Sequence, residues 1–208
     1  MKKMFIASYF KQVASILPDF LDQDINGKTV TFIPTASNYE KIKFFVESDK
    51  KALIKLGLQI DELDIEKATI KDCRRKLEKN DFIFICGGNT FFLLQEIMQK
   101  EIDTSLKKLI ENGKPYISTS AGSVIMSPDI EFIKLMDDPK QGNKLKSYNG
   151  LNMIDSYVLP HYNNFPFKKI GERIVSEFGE KVNLLPISNN QVIEVVGNKL
   201  EVLTKEKK

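Results

Sequence analysis

The sequence has 208 residues, of which 42% are apolar and 28% are charged, and this composition excludes a disordered or membrane-embedded chain. Its 31 basic and 28 acidic residues are intermixed, so the net charge of +3 gives no indication of a nucleic-acid-binding surface. The length predicts one domain, spanning residues 1–208, with a core that needs no disulfide or metal for its stability.

The cysteines and the apolar runs indicate the cellular compartment of the protein. Cys73 lies in a charged helical segment and Cys86 ends an apolar strand, and a reducing compartment suits two such separate thiols. No stretch approaches the length of a membrane span, and Lys11 interrupts the first apolar run too early for a signal peptide. We therefore expect a cytoplasmic protein that binds no membrane and no nucleic acid.

The first half of the chain alternates apolar strands with helical segments joined by short turns. Strands are predicted over residues 4–8, 29–33, 58–63 and 81–86, and helices over residues 10–17, 39–56 and 65–77. The strand at 81–86 is an almost continuous apolar run, as expected for a strand buried on both faces of a parallel sheet. It ends in Gly87-Gly88-Asn89, where the next helix opens.

The second half contains a long polar interruption. Helices over residues 91–98 and 102–110 lead to a strand at 116–117, which runs directly into Ser120. Residues 127–149 are polar and charged, and we expect them to form an excursion on the active-site face of the sheet. The rest of the chain is predicted to form a strand at 157–160, a helix at 170–178 and strands at 182–187, 191–196 and 200–203, the last two as an antiparallel hairpin.

This alternation predicts the fold class. Strands and helices that follow one another through short connections favour a doubly wound, three-layer α/β sandwich with a mainly parallel sheet. Ligands of such sheets bind beyond the carboxyl ends of the strands. Gly87-Gly88 and Ser120 each follow a strand end, so we expect them to share one crevice.

Ser120 is the candidate nucleophile. An apolar strand runs into small residues and then into a helical pattern, and such a strand-to-helix elbow projects a serine oxygen from the sheet edge. The N–H group of Ala121 would be free to stabilise an oxyanion there. The alternative is a serine- and glycine-rich turn that caps a helix, since Ser118 stands where the G-x-S-x-G pattern has its first glycine.

His161 is the single histidine, follows a predicted strand end and is the candidate base for Ser120. A third group should orient its imidazole. Asp137 in the predicted excursion is one candidate, with a solvated turn acid as the alternative interpretation. Asn189 and Asn190 follow the strand at 182–187 and could orient the ring through a side-chain carbonyl.

Gly87, Gly88 and Asn89 allow two interpretations. Two glycines before a helix could hold a phosphate, but the chain has neither G-x-G-x-x-G nor a Walker lysine motif. A second oxyanion donor is the better interpretation. One histidine and two scattered cysteines argue against a zinc site, and we expect neither a metal nor a cofactor.

With these residues, the chain resembles the peptidase E family of serine dipeptidases, which share the fold of class I glutamine amidotransferase domains. The resemblance covers nearly the whole chain. Its motifs are Gly87-Gly88-Asn89-Thr90-Phe91 with Leu93-Leu94, then Ser120-Ala121-Gly122, Asp137-x-Pro139 and Leu159-Pro160-His161-Tyr162. The resemblance implies that Ser120 is the nucleophile, that His161 is the base and that the first glycine loop lies beside the oxyanion site.

The resemblance also implies a substrate class. Members hydrolyse short peptides, and the best-known ones prefer an N-terminal aspartate. The chain departs from the family at Ser118, which replaces a glycine, and at residues 187–191, which lack the late carboxylate that some members have. An amide or Asp137 must then orient His161.

Three functional hypotheses follow. The first is a serine-type peptidase that hydrolyses short peptides, including N-terminal aspartyl dipeptides. The second is a catalytically weak or silent small-molecule-binding protein of the same fold. A glutamine amidotransferase is the third, weakened because serine occupies the position expected for cysteine. The expected partner is a small peptide, and the sequence leaves open whether the chain forms a homodimer.

Overall fold

The computed structural model describes residues 1–206. Its nine strands are β1 (Lys3–Ala7), β2 (Thr29–Ile33), β3 (Gln59–Glu62), β4 (Phe82–Ile85), β5 (Tyr116–Thr119), β6 (Tyr157–Leu159), β7 (Leu184–Pro186), β8 (Gln191–Val196) and β9 (Lys199–Thr204). Seven of them form one sheet in the order β3-β2-β4-β5-β1-β8-β9. The five strands from β3 to β1 in that order run parallel, while β8 and β9 are antiparallel.

Helices cover both faces of this sheet. They are α1 (Phe10–Val13), α2 (Leu17–Leu21), α3 (Phe44–Lys55), α4 (Ile70–Lys79), α5 (Thr90–Gln99), α6 (Asp103–Glu111), α7 (Ala121–Val124) and α8 (Lys168–Phe178). Phe82 and Phe84 of β4 pack with α1, α2 and α3 in one apolar core, whereas Ile83 and Ile85 pack with α4 to α8 in another. This alternation follows from the period of two along a strand. The predicted three-layer α/β sandwich with a mainly parallel sheet and a C-terminal hairpin is confirmed.

Two predicted helices begin later than the sequence indicates. The helix predicted from residue 39 begins at Phe44, because Asn38 is fixed by hydrogen bonds from its Nδ2 to carboxylate oxygens of Asp64, at 3.0 Å, and Glu66, at 2.6 Å. The helix predicted from residue 65 begins at Ile70. Thr69 caps it, since its hydroxyl accepts from the backbone N–H of Asp72 at 3.1 Å.

The strands β6 and β7 do not join the main sheet. They form a separate two-stranded parallel sheet in which Leu159 pairs with Pro186. The backbone continues this pairing, since the N–H of Ile187 donates to the carbonyl of Leu159 at 2.9 Å. Their carboxyl ends therefore lie side by side and bring His161 next to Asn189.

Candidate active site

Strand register places the three segments of the site next to one another. Ser118 of β5 pairs with Ile85 of β4, so Ser120 lies beside Gly87, each two residues beyond that pair. On the other side of β5, Thr119 pairs with Ala7 of β1. The backbone N–H of Ser120 donates to the carbonyl of Ala7 at 3.1 Å, which ties the elbow to the end of β1.

Ser120 has a strained backbone with φ 50° and ψ −112°, in a region that residues other than glycine rarely occupy. Its neighbours are small because the chain is crowded there. A Cβ atom on Gly87 would lie 3.0 Å from the Ser120 Cβ, and one on Gly122 would lie 2.5 Å from the carbonyl oxygen of Ile85. The motif G-x-S-x-G is thus replaced by a different set of small residues that meets the same steric need.

The side chains of Ser120 and His161 meet. His161 follows β6 with φ 60°, and its Nε2 lies 2.9 Å from the Ser120 Oγ. The imidazole stacks on the ring of Phe167, with centroids 4.9 Å apart and 24° between the planes. The base is therefore held against the serine on one side and packed on an aromatic ring on another.

Asn189 contacts the other ring nitrogen of His161. Its Oδ1 lies 2.7 Å from Nδ1, and since a side-chain carbonyl only accepts, the proton belongs on Nδ1. Nε2 is then the acceptor for the hydroxyl of Ser120. This is the tautomer that a general base needs.

Ser8 and Asn164 fix this pair in turn. The Ser8 hydroxyl accepts from the backbone N–H of His161 at 2.8 Å and donates to the Asn189 Oδ1 at 3.1 Å. The Asn164 Oδ1 accepts from the backbone N–H of Asn189 at 2.8 Å. Further hydrogen bonds thus hold both His161 and Asn189, which limits their freedom to turn away from each other.

Burial keeps His161 in its neutral form. The loss of solvation lowers the pKa of its imidazole, and the hydrogen bond with Asn189 opposes that shift only in part. A neutral imidazole at neutral pH is able to accept a proton from Ser120. Protonation state and geometry therefore agree on His161 as an acceptor.

The backbone N–H groups of Gly88 and Ala121 are among those near Ser120 that have no acceptor within residues 1–206. Gly88 has φ +136°, and a Cβ there would lie 2.2 Å from the carbonyl oxygen of Ala36, so only glycine fits. Asn89 next to it caps α5, because its Oδ1 accepts from the Phe92 N–H at 2.9 Å. The loop at Gly88 is therefore held in place by its neighbours and leaves the Gly88 N–H without an acceptor in the described part of the chain.

The structure places Asp137 and Asn190 away from the imidazole nitrogens. Asp137 binds the first residue of α5, where its Oδ2 accepts from the N–H of Thr90 at 2.9 Å and from its hydroxyl at 2.5 Å. Burial raises the pKa of this carboxyl to about 6. Asn190 bonds to Ser188 at 2.8 Å and to the carbonyl of Lys205 at 3.2 Å. Within residues 1–206 neither side chain forms a hydrogen bond with His161.

Ser120 and His161 open into a cavity of about 540 Å³. Four acidic residues contribute to its polar lining, Glu40, Asp49, Asp137 and Asp138. No lysine or arginine of residues 1–206 lines it. The same residues contain no cluster of three or more histidine, cysteine or acidic side chains suited to a metal ion, and no helix among them is long and apolar enough to cross a membrane.

The family model of Peptidase family S51 matches residues 4–203. The chain belongs to peptidase family S51. A curated relative, an uncharacterized peptidase of Listeria monocytogenes, is 48% identical over 205 residues, which are 99% of this chain and 98% of that protein. Peptidase E of Haemophilus influenzae is 27% identical over 154 residues, or 74% of this chain and 66% of that protein.

A solved structure agrees with this placement. The crystal structure of a protein from Listeria monocytogenes, described as a candidate peptidase E, has a TM-score of 0.95 and 45% identity, covering 99% of this chain and all of that chain. The resemblance to the peptidase E family is confirmed. This S51 member is therefore a peptidase by family and has the fold that the resemblance implied.

Sequence reasoning missed several residues of this S51 site. Ser8 directly follows the first strand and could have been placed at the carboxyl edge of the sheet beside Ser120, because parallel strands end together. Asp49 interrupts the apolar face of α3 between Val46 and Leu53. An acidic residue at a position that helical spacing assigns to the buried face was the signal in the sequence. No sequence motif identifies Phe167, because its contact with His161 depends on tertiary packing.

Proposed function

We propose that this chain is a serine-type peptidase that hydrolyses short peptides with Ser120 as nucleophile and His161 as general base. The single observation that carries the proposal is the 2.9 Å separation between the Ser120 Oγ and the His161 Nε2 at a strained strand-to-helix elbow. A nucleophile and a base within hydrogen-bond reach, with the base oriented by a third group, is the arrangement of covalent hydrolases.

The reaction proceeds through an acyl-enzyme. The Ser120 Oγ attacks the scissile carbonyl carbon while its proton passes to the His161 Nε2. The imidazolium then gives that proton to the leaving amine, the C–N bond breaks, and an ester joins the substrate acyl group to Ser120. A water molecule attacks the ester with His161 again as base, which releases the acid and restores the serine.

The backbone N–H groups of Gly88 and Ala121 are assigned to the oxyanion. Ala121 directly follows Ser120 and Gly88 lines the same cavity, and because their N–H groups lack an acceptor within residues 1–206 they are available where negative charge develops on the carbonyl oxygen. Ala121 is the first residue of α7, and the amides of a first helical turn have no partner within the helix. Donors that are fixed before the substrate arrives lower the barrier without reorganisation.

Asn189 is assigned to orientation of the imidazole. It fixes the proton on Nδ1, but as a neutral amide it stabilises the imidazolium less than a carboxylate would. We therefore expect slow turnover of unactivated peptides. A cavity of about 540 Å³ suits a substrate of a few residues rather than a folded protein.

The two cysteines support the cytoplasm as the proposed compartment of the enzyme. Cys73 and Cys86 are unpaired and buried, and burial raises the pKa of both thiols, so neither is reactive. Unpaired thiols fit a reducing compartment. We assign the enzyme to the cytoplasm on that ground.

A fluorophosphonate probe tests the nucleophile. The wild-type protein should be labelled, Ser120→Ala should not, and His161→Ala should be labelled roughly 10²- to 10⁴-fold more slowly, the contribution usual for a general base. Equal melting temperatures would show that the variants are folded. Absence of labelling in the folded wild-type protein would contradict the proposal and favour the silent binding protein.

A further inference from the structure

Asp49 is a buried carboxyl group without a hydrogen-bond partner. It lies on α3 between Val46 and Leu53, on the face that packs against the sheet, and its exposed fraction is 0%. Neither of its oxygen atoms has a hydrogen-bond partner within residues 1–206. Buried polar groups are almost always bonded, because an unbonded one loses its solvation without compensation. An unpartnered carboxyl group therefore calls for an explanation.

Both residues with unpartnered oxygen atoms line the active-site cavity. Within residues 1–206, three buried side-chain atoms lack a partner, the two carboxylate oxygens of Asp49 and the Oε1 of Gln141, and both residues line the cavity that contains Ser120 and His161. The Gln141 Oε1 is a hydrogen-bond acceptor, and so are both oxygens of Asp49 once it is ionised. The cavity therefore offers buried acceptors to a ligand that brings donors.

The charge of the cavity favours the same kind of ligand. Besides Asp49, it is lined by the carboxylates of Glu40, Asp137 and Asp138, and by no cation of residues 1–206. A substrate carboxylate would meet acidic groups and no lining cation of residues 1–206 there, with only Lys11 near Asp49 outside the lining, whereas an ammonium or guanidinium group would meet groups that can carry the opposite charge. This argues against the aspartate preference that the family resemblance implied.

Aromatic side chains line the same cavity as Asp49. Phe45 lies one helical turn before it on α3, and Tyr9 and Phe44 line the same cavity. Residues four apart on a helix are neighbours on one face. Aromatic faces attract cations through the ring quadrupole, and the Asp49 carboxyl group among them becomes a charged acceptor when a cation displaces its proton. This combination suits a cationic nitrogen better than a neutral side chain.

We propose that Asp49 binds a positively charged nitrogen of the peptide substrate and that the acidic cavity around it disfavours acidic N-terminal residues. The inference rests on the proposed function, since it concerns the substrate of the same cavity. Two sources share this chemistry, the α-ammonium group of a free N-terminus and the side chain of lysine or arginine. Both present N–H donors and one positive charge to the carboxylate.

The test is binding to the full chain without turnover. Ser120→Ala serves as the background, and isothermal calorimetry measures its affinity for Lys-Leu, Leu-Leu, N-acetyl-Lys-Leu, N-acetyl-Leu-Leu and Asp-Leu. Asp49→Asn, close to isosteric and uncharged, is then added. Glu47→Gln is the matched control, because Glu47 lies on the same helix with 62% of its side chain exposed and outside the cavity lining.

We expect Lys-Leu to bind more tightly than Asp-Leu, and Asp49→Asn to weaken Lys-Leu roughly 10- to 100-fold, the range for a hydrogen bond to a charged group. N-acetyl-Leu-Leu should be insensitive to Asp49→Asn, and Glu47→Gln should change no affinity more than about twofold. Loss for Leu-Leu but not for N-acetyl-Lys-Leu identifies the α-ammonium group, and the reverse identifies the side chain.

Several results would overturn the inference. The inference fails if Asp-Leu binds most tightly or if no peptide binds. It also fails if Asp49→Asn changes the affinities for Lys-Leu, Leu-Leu and N-acetyl-Lys-Leu by less than about twofold. Asp49→Ala repeats the measurement if the asparagine variant does not fold, and the order of affinities in Ser120→Ala needs no Asp49 variant. Fluorophosphonate labelling of the wild-type protein tests the proposed function separately, because it depends on Ser120 and not on Asp49.

Discussion

The Oδ1 atom of Asn189 lies 2.7 Å from the Nδ1 atom of His161, so a neutral amide faces the imidazole where triads of serine hydrolases have a carboxylate. The parallel pairing of β6 with β7 creates this contact, because both residues follow strands that end side by side. The amide fixes the tautomer of the ring. It leaves the imidazolium that forms during attack with less electrostatic support.

Asn189→Ala should slow the reaction by roughly 10- to 100-fold, because His161 would lose the acceptor for its Nδ1 proton and turn more freely; general base catalysis as a whole contributes about 10²- to 10⁴-fold. The rate of fluorophosphonate labelling measures the effect. Asn190→Ala is the matched control, since Asn190 bonds only to Ser188 and Lys205 in the same turn. Equal loss in both variants would show that the turn as a whole matters and not the contact with Nδ1.

Asp137→Asn should keep the labelling rate within about tenfold, whereas loss of a triad carboxylate costs about 10⁴-fold. The reason is that Asp137 bonds to Thr90 at the start of α5 and not to His161. Asp137→Ala should instead lower the free energy of unfolding by about 1–3 kcal/mol, because it leaves the N–H and hydroxyl of Thr90 without their acceptor. A rate loss near 10⁴-fold in a stably folded Asp137→Asn protein would make Asp137 a member of the catalytic set.

The pH dependence of the labelling rate should show its acid limb below pH 6.5. His161 must be neutral to accept a proton, and burial lowers the pKa of its imidazole from an ordinary value of 6.5. Asn189→Asp should move the limb to higher pH, because a carboxylate beside the ring stabilises the imidazolium. A limb above pH 6.5 in the wild-type protein, or one that Asn189→Asp leaves in place, would contradict this assignment.

The succession of strands along the chain and the places of Ser120 and His161 after strand ends could be predicted because both depend on local pattern. An apolar run followed by small residues marks the end of β5, and the run at 81–86 marks β4. Parallel strands end at the same edge, which brings Gly87 and Ser120 together. Short-range information is sufficient for such features.

The third member of the site and the charge of the cavity could not be predicted in the same way. The choice between Asp137 and Asn189 depends on β6 and β7 leaving the main sheet, which no local pattern indicates. The role of Asp49 depends on which face of α3 is buried and on what lies opposite. Both are tertiary relationships, and a single sequence carries them only indirectly.

Asp49→Asn should stabilise the protein increasingly as pH rises. Burial raises the pKa of Asp49 from 3.8 to about 8, although the positive charge of the nearby Lys11 on α1 opposes the shift. The other ionisable group facing Asp49 is the thiol of Cys86, whose pKa burial raises well above its ordinary value. Between pH 4 and pH 8 the unfolded chain therefore releases a proton that the folded chain keeps, and the wild-type protein loses stability as pH increases.

The asparagine side chain has no such proton, so the difference in unfolding free energy between Asp49→Asn and the wild-type protein should grow by about 1.4 kcal/mol per pH unit. The slope should vanish above about pH 8, where both states of the wild-type chain are ionised. Urea unfolding at pH 5, 6, 7 and 8 measures it, with Glu47→Gln on the exposed face of α3 as the control that should show no trend. Parallel stability curves for Asp49→Asn and the wild-type protein would mean that Asp49 is solvated or paired in solution, and the reason for assigning it to a cationic ligand would be lost.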